Sequence, residues 1–309
     1  MISFRFHIVS LTAVFLSLAI GIGIGAAVVD RQTVDFLEGR LDTVERRANA
    51  TATENDQLRN DVSGWRQFGD QGATAFVRGQ LEAPVIVVGV QGVDRKPVDA
   101  FRQLLVASGA RLQGTVWFTS KLELSNPDDV RALQAILGLP TARPDLLRRA
   151  TATRLAEGWL PGGAPTILPA LRDTGFVEFE PPSGEPVDLT TVTPEGTLTV
   201  VVSGPDADVP NAEVAQPFLT GLVQRAASTV LVAEAGRDAT ADNPARRAVF
   251  LRPILADEAV ANRLSTVDNL EEVRGRVAAV LAIVGLFEGK TGHYGTGSGA
   301  QRLVPEVGP

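Results

Sequence analysis

Residues 8–29 run for twenty-two positions without a charge, from Ile8 to Val29. As a helix at ~1.5 Å per residue this run reaches ~33 Å, enough to cross a ~30 Å hydrocarbon core. A cleaved signal peptide has a shorter apolar region of ~7–15 residues and a small-x-small cleavage site, which Ala-Ala-Val-Val-Asp does not supply. The sequence therefore predicts a retained transmembrane anchor over 8–29, preceded by a short tail over 1–7. Gly21 and Gly25 are spaced so that two anchors can approach closely, which predicts helix association in lipid. Charge counting does not orient the span, because Arg5 precedes it while Arg31, Arg40, Arg46 and Arg47 follow it. The short amino-terminal tail is that of a signal-anchor, and the reading adopted is a carboxyl-terminal domain outside the cytoplasm.

A second pattern begins at residue 30. With a at Val34, Leu41, Ala48, Asn55 and Val62, position d falls on Leu37, Val44, Thr51, Leu58 and Trp65, with polar residues between them. Heptads of this kind, uninterrupted by proline, predict a parallel coiled-coil stalk over 30–69. Asn55 at an a position costs stability but favours a fixed register and two strands. The oligomerisation seam is thus read as Gly21, Gly25, Val34, Leu37, Leu41, Val44, Asn55, Leu58 and Val62.

From residue 80 to 289 the period changes to an α/β alternation. Continuously apolar runs at 84–90, 111–119, 197–203 and 229–234 are read as buried strands, with a shorter strand at 176–179. Helices are predicted at 97–108, 127–138, 144–158, 164–174 and 211–227, and over most of 244–263. Residues 180–196, with four prolines, are read as a surface loop. A short segment at 263–267 leads to an amphipathic helix at 270–287, with Val273, Val277, Val280, Leu281 and Val284 inward. Asn269 and Glu272 have the spacing of a capping box at its start. The expected fold is α/β, with a Rossmann-like, mainly parallel sheet, followed by a Gly-rich tail over 290–309. Strands of this kind do not suit a transmembrane barrel, which needs longer segments alternating apolar and polar.

Chemistry is sparse. Twenty-nine basic and thirty-six acidic residues give a net charge of −7, which argues against nucleic acid as a partner. There is no cysteine, one methionine and two histidines, so thiolate metal sites and thiol nucleophiles are excluded. Gly89–Gly92 lies where doubly wound sheets bind ligands but lacks G-x-G-x-x-G. Gly285–Thr291 imitates a P-loop, yet it is one residue short and ends a helix instead of starting one. Asp206 and Asp208 read as a solvated loop. His293, beside Tyr294, has no neighbouring imidazole or sulfur donor and is only a weak metal candidate. The plainer reading is that the pair pins the tail onto the sheet. No catalytic residue and no resident cofactor is expected.

Three stretches near the carboxyl end are more particular: Leu264-Ser-Thr-Val-Asp-Asn-Leu270, Gly275-Arg-Val-Ala-Ala-Val-Leu-Ala282 and Gly292-His-Tyr-Gly-Thr-Gly297. Together with Ile2-Ser-Phe-Arg-Phe-His7, the anchor and the heptads, the sequence resembles the actinobacterial copper transporter family MctB. The resemblance implies an envelope protein of copper homeostasis, with copper as a possible transported ion and relatives described as outer-membrane channel components. It also marks Ser265, Thr266, Asp268, Asn269, His293, Tyr294 and Gly295 as motif-loop residues of unknown ligand. One span encloses no pore, so a conduit would need an oligomer or a partner. The alternative is a scaffold whose dimeric stalk presents an α/β platform to envelope proteins. A third reading is a small-ligand binder using Gly89–Gly92 and the Ser265–Asn269 loop. Residues 30–309, freed of the anchor, are expected to sediment as a dimer at tens of micromolar; a monomer there contradicts the stalk.

Overall fold

A computed structural model of the chain describes residues 4–28, 31–182, 187–226, 229–236 and 249–306. The chain divides into two compact units, Met1–Trp65 and Arg66–Pro309. The first contains α1 (Phe4–Val28) and most of α2 (Arg31–Val77). Within α1, Phe4–Gly25 has the length and apolarity of a membrane span and buries none of its surface in the protein. The hydroxyl of Thr12 donates to the Ile8 carbonyl at 2.8 Å, which satisfies that group inside the helix.

The second unit is a seven-stranded sheet with helices on both faces. Its strands are β1 (Pro84–Val90), β2 (Arg111–Phe118), β3 (Val177–Glu180), β4 (Leu198–Ser203), β5 (Val230–Glu234), β6 (Ser265–Val267) and β7 (His293–Tyr294). They lie in the order β3-β2-β1-β4-β5-β6-β7. All neighbours are parallel except β2 and β3. The central strands are apolar on both faces because both are covered. Ile86, Val88 and Val90 enter one core, with Phe118, Trp159 and Phe218. Val85 and Val87 enter the other, with Phe101, Trp117 and Ile283.

The first face is covered by α4 (Pro127–Leu137), α5 (Pro144–Gly158), α6 (Leu168–Asp173), α7 (Ala215–Arg225), α8 (Leu251–Leu255) and α9 (Glu258–Ala261). There Phe218 meets Phe118 and Trp159 edge-on, with ring centroids 5.9 and 5.4 Å apart. The second face is covered by the end of α2, by α3 (Arg95–Ser108) and by α10 (Val273–Phe287). Local signals end these helices as the sequence suggests: Gly109 and Gly138 take left-handed caps, and Asn126 accepts from the Asp128 amide. The antiparallel edge β3 is tied down by charge. Arg95 bonds Glu178 at 2.7 Å and Glu180 at 2.5 Å, and Arg102 bonds Glu180 at 2.7 Å. Charged side chains on an edge strand also discourage further pairing.

Several expectations shift. The segment at 263–267 is a strand, β6, and the tail beginning at 290 supplies a seventh, β7. The helix expected at 164–174 is confined to α6, and that at 211–227 starts only at Ala215. Residues 244–263 form the two short helices α8 and α9 within their described part, and residues 244–248 lie outside the described residues. Asn269 does not cap α10; Glu272 occupies that position, and Asn269 Nδ2 donates to its carboxylate at 3.4 Å. Nor is α10 amphipathic: Gly275, Ala278, Ala279, Ala282 and Ile283 are buried along with Val280 and Leu281. Val273, Val277 and Val284, expected inward, are only partly buried but do pack against this core.

Phe218→Ala removes the ring shared by Phe118 and Trp159. It is expected to cost about 3–5 kcal/mol, read by urea unfolding of the detergent-solubilised chain followed through tryptophan fluorescence. Loss of under about 1 kcal/mol contradicts this packing.

Candidate functional site

The three particular carboxyl-terminal stretches form one β-α-β unit, β6-α10-β7. Its geometry is unusual. The step from β1 to β2 carries α3 over the second face, and the opposite step from β4 to β5 carries α7 over the first, so both have one hand. The step from β6 to β7 runs in the direction of β4 to β5, yet α10 lies over the second face. Its hand is therefore reversed. Parallel crossovers are right-handed in ~98 % of cases, which makes β6-α10-β7 the left-handed exception.

The residues of the unit hold it in that arrangement. A Cβ at Gly275 would overlap the Asn269 carbonyl, so only glycine lets α10 start this close to the turn after β6. Asp268, 5 % exposed, accepts from the amides of Thr296 at 2.9 Å and Gly297 at 2.5 Å. Gly295, at φ +134°, permits that wrap, since a Cβ there would strike the Asp268 carboxylate. The Ser265 hydroxyl accepts from the Gly292 amide at 3.2 Å, and Thr266 Oγ1 lies 3.1 Å from His293 Nδ1. The outer edge of β7 is closed by the tail: the Gln301 amide donates to the His293 carbonyl at 2.8 Å, and the Gly295 amide to that of Arg302 at 2.9 Å.

The fold thus brings Ser265, Thr266, Asp268, Asn269, His293, Tyr294 and Gly295 together, and it engages most of them with one another. Burial holds the His293 pKa below its usual value, favouring the neutral ring, and raises that of Tyr294. Among the described residues no three His, Asp or Glu side chains converge as a metal group. The other candidates are dispersed. Gly92 is covered by the 206–208 segment, whose Asp208 amide donates to the Gln91 carbonyl at 2.8 Å. Gly89–Gly92 spans the end of β1 and the turn after it, whereas Ser265–Asn269 begins with β6, three strand spacings or roughly 14 Å away. Gly285–Thr291 closes α10 as the sequence implies, with Lys290 paired to Glu288 at 2.7 Å. Gly21 and Gly25 have open space at their Cβ positions. Leu37, Leu41, Val44, Asn55, Leu58 and Val62 are all exposed on the single chain, while the side chain of Val34 lies outside the described residues.

Two functional-looking groups were not anticipated. Glu234 ends β5 and is 2 % exposed; its carboxylate accepts from the amides of Val249 at 3.0 Å, Phe250 at 2.9 Å and Leu251 at 3.0 Å. Burial raises its pKa to about 7 against the pull of those three amides, and the charge of Asp268 adds to the rise. Arg276, 8 % exposed, donates to the carbonyls of Leu270 and Glu271 and to Asp70 at 2.8 Å. An ionisable residue at the edge of an apolar run, the end of β5 for Glu234 and the start of α10 for Arg276, was the available signal.

A folded pKa of about 7 against 4.5 means that the native state keeps a proton which the unfolded chain releases first. This group's contribution to stability therefore falls as pH rises from about 4.5 to about 7. In urea unfolding over that window the wild type is expected to lose stability by up to about 1.4 kcal/mol per pH unit relative to Glu234→Gln. Parallel pH profiles for the two proteins contradict the buried carboxyl.

The family model described as "Copper transport outer membrane protein, MctB" matches residues 1–305. The copper transporter MctB of Mycobacterium tuberculosis is 29 % identical over 325 residues, covering 98 % of this chain and 99 % of the relative. That of Mycobacterium leprae is 30 % identical over 327 residues, covering 99 % and 100 %.

Proposed function

The chain belongs to the MctB family, and from that membership we propose that it takes part in copper transport as a membrane-anchored component of the cell envelope. The observation that carries this is the match over residues 1–305, which includes the anchor, the heptads and the β6-α10-β7 unit together. The apolar helix Phe4–Gly25 fits a single membrane span. The signal-anchor character of the amino terminus supports a carboxyl-terminal domain outside the cytoplasm. Heptads over 30–69, lying within one continuous helix, support a parallel homodimeric stalk. The strand order, which reverses between β1 and β4, supports a Rossmann-like platform over 80–289.

Copper is the cargo in this reading. A chain with two histidines, one methionine and no cysteine offers few donors for a soft cation, and one helix encloses no pore. The conduit is therefore formed by an oligomer or by a partner, with this chain supplying the anchor, the stalk and the platform. The same shortage of donors favours a second reading, in which the dimer is a scaffold for other envelope proteins and copper is affected only indirectly.

Cellular copper separates the two. A deletion strain grown in copper is expected to accumulate the metal and to return to wild-type content when the gene is restored. Unchanged copper together with a defective envelope overturns the transport reading and leaves the scaffold.

A further inference from the structure

Helix α2 is unbroken from Arg31 to Val77, and its last turns carry two different stripes. One faces its own domain. Ala73 is 7 % exposed and Val77 fully buried, Gly69 has open room only up to Val273 Cγ1 at 3.5 Å, and Asp70 pairs with Arg276 at 2.8 Å. The other stripe lies one residue, or ~100°, to the side. Phe76, immediately before Val77, is 52 % exposed. Gly72, immediately before Ala73, has no atom within 4 Å of a Cβ placed on it. The domain leaves Gly72 open and about half of Phe76 uncovered.

Its register is that of the heptads. Counting on from Val62 at a and Trp65 at d puts Gly69 and Phe76 at a and Gly72 at d. Resting on the stalk reading above, we propose that the pairing seam continues into the compact unit, so that Gly72 and Phe76 of one copy pack against Gly72 and Phe76 of a second.

Three observations favour a second copy as the occupant. A seam that repeats every seven residues is self-complementary in a parallel pair, since each a meets a and each d meets d. Phe76 keeps that phase two heptads beyond Val62, where the helix already has a domain to pack on and gains nothing from an outward ring. Gly69 lies between the two stripes, where a larger a side chain would have to share its space between Val273 and a facing helix; glycine lets both approach.

The absence of cysteine makes the test clean. Single cysteines are placed in the full-length protein in membranes at Val62→Cys, Gly72→Cys and Phe76→Cys, with Val106→Cys, on exposed α3, as control. Gly72→Cys fills open space and leaves the fold intact. A disulfide needs Cα atoms within ~7 Å, so under a mild thiol oxidant only seam positions should link. The proposal expects covalent homodimers at 62, 72 and 76 in equal yield and monomer at 106. Homodimer at 62 with monomer at 72 and 76 overturns the continuation and leaves the stalk. Monomer at all three overturns both. Linkage at 72 and 76 to a different protein overturns the second copy as occupant.

Discussion

The approach of α10 to the turn between β6 and itself is the constraint on which the carboxyl-terminal half depends. Gly275 against the Asn269 carbonyl brings the helix down, and Ala278, Ala279 and Ala282 keep it close along its length. Only then can the chain emerge at the far side and run parallel to β6 as β7, on a crossover of the disfavoured hand. Asp268 then fastens the following turn with two amides. Small residues, a buried carboxylate and a glycine at positive φ are what such a path requires. This is a physical reason for the particular sequence of these three stretches that involves no ligand.

The same unit reaches back to the start of the domain. Arg276 sits in the first turn of α10 and joins the turn after β6 to Asp70 of α2. Beside it, Glu234 gathers the chain at 249–251 against the end of β5. Among the described residues this buried carboxylate is held by three amides, and burial wins over them in setting its proton affinity. The carboxyl ends of the strands, where open α/β sheets usually bind ligands, are in this protein spent largely on holding the chain to itself.

Much of this was legible beforehand. The strand at 84–90 and the helix at 144–158 have the expected bounds, and the helix expected at 127–138 ends one residue sooner, at Leu137, because β-branched runs, an Asn-Pro start and glycine caps act locally. The errors occur where tertiary packing overrides pattern. Helix α10 lies between the sheet and other helices, so its alanines, which carry little hydrophobic signal, face inward as well, while Val273, Val277 and Val284 pack at the margin of the core. Strands of three and two residues are too short for any periodicity to show. The grouping of Ser265, Thr266 and His293 follows from β6 pairing with β7, which no local spacing encodes. Glu234 and Arg276 were visible as charges at the edges of apolar runs, but what each would hold was not.

We propose that the motif residues build a fold and do not bind the metal, and His293 puts this to the sharpest test. Its Nδ1 already faces Thr266, and its ring lies in the pairing of the last two strands. Copper content is to be measured in cells whose only copy carries His293→Ala, at matched levels of folded protein. The account expects wild-type copper. Copper as high as in the deletion strain, with the protein folded and present, would contradict it.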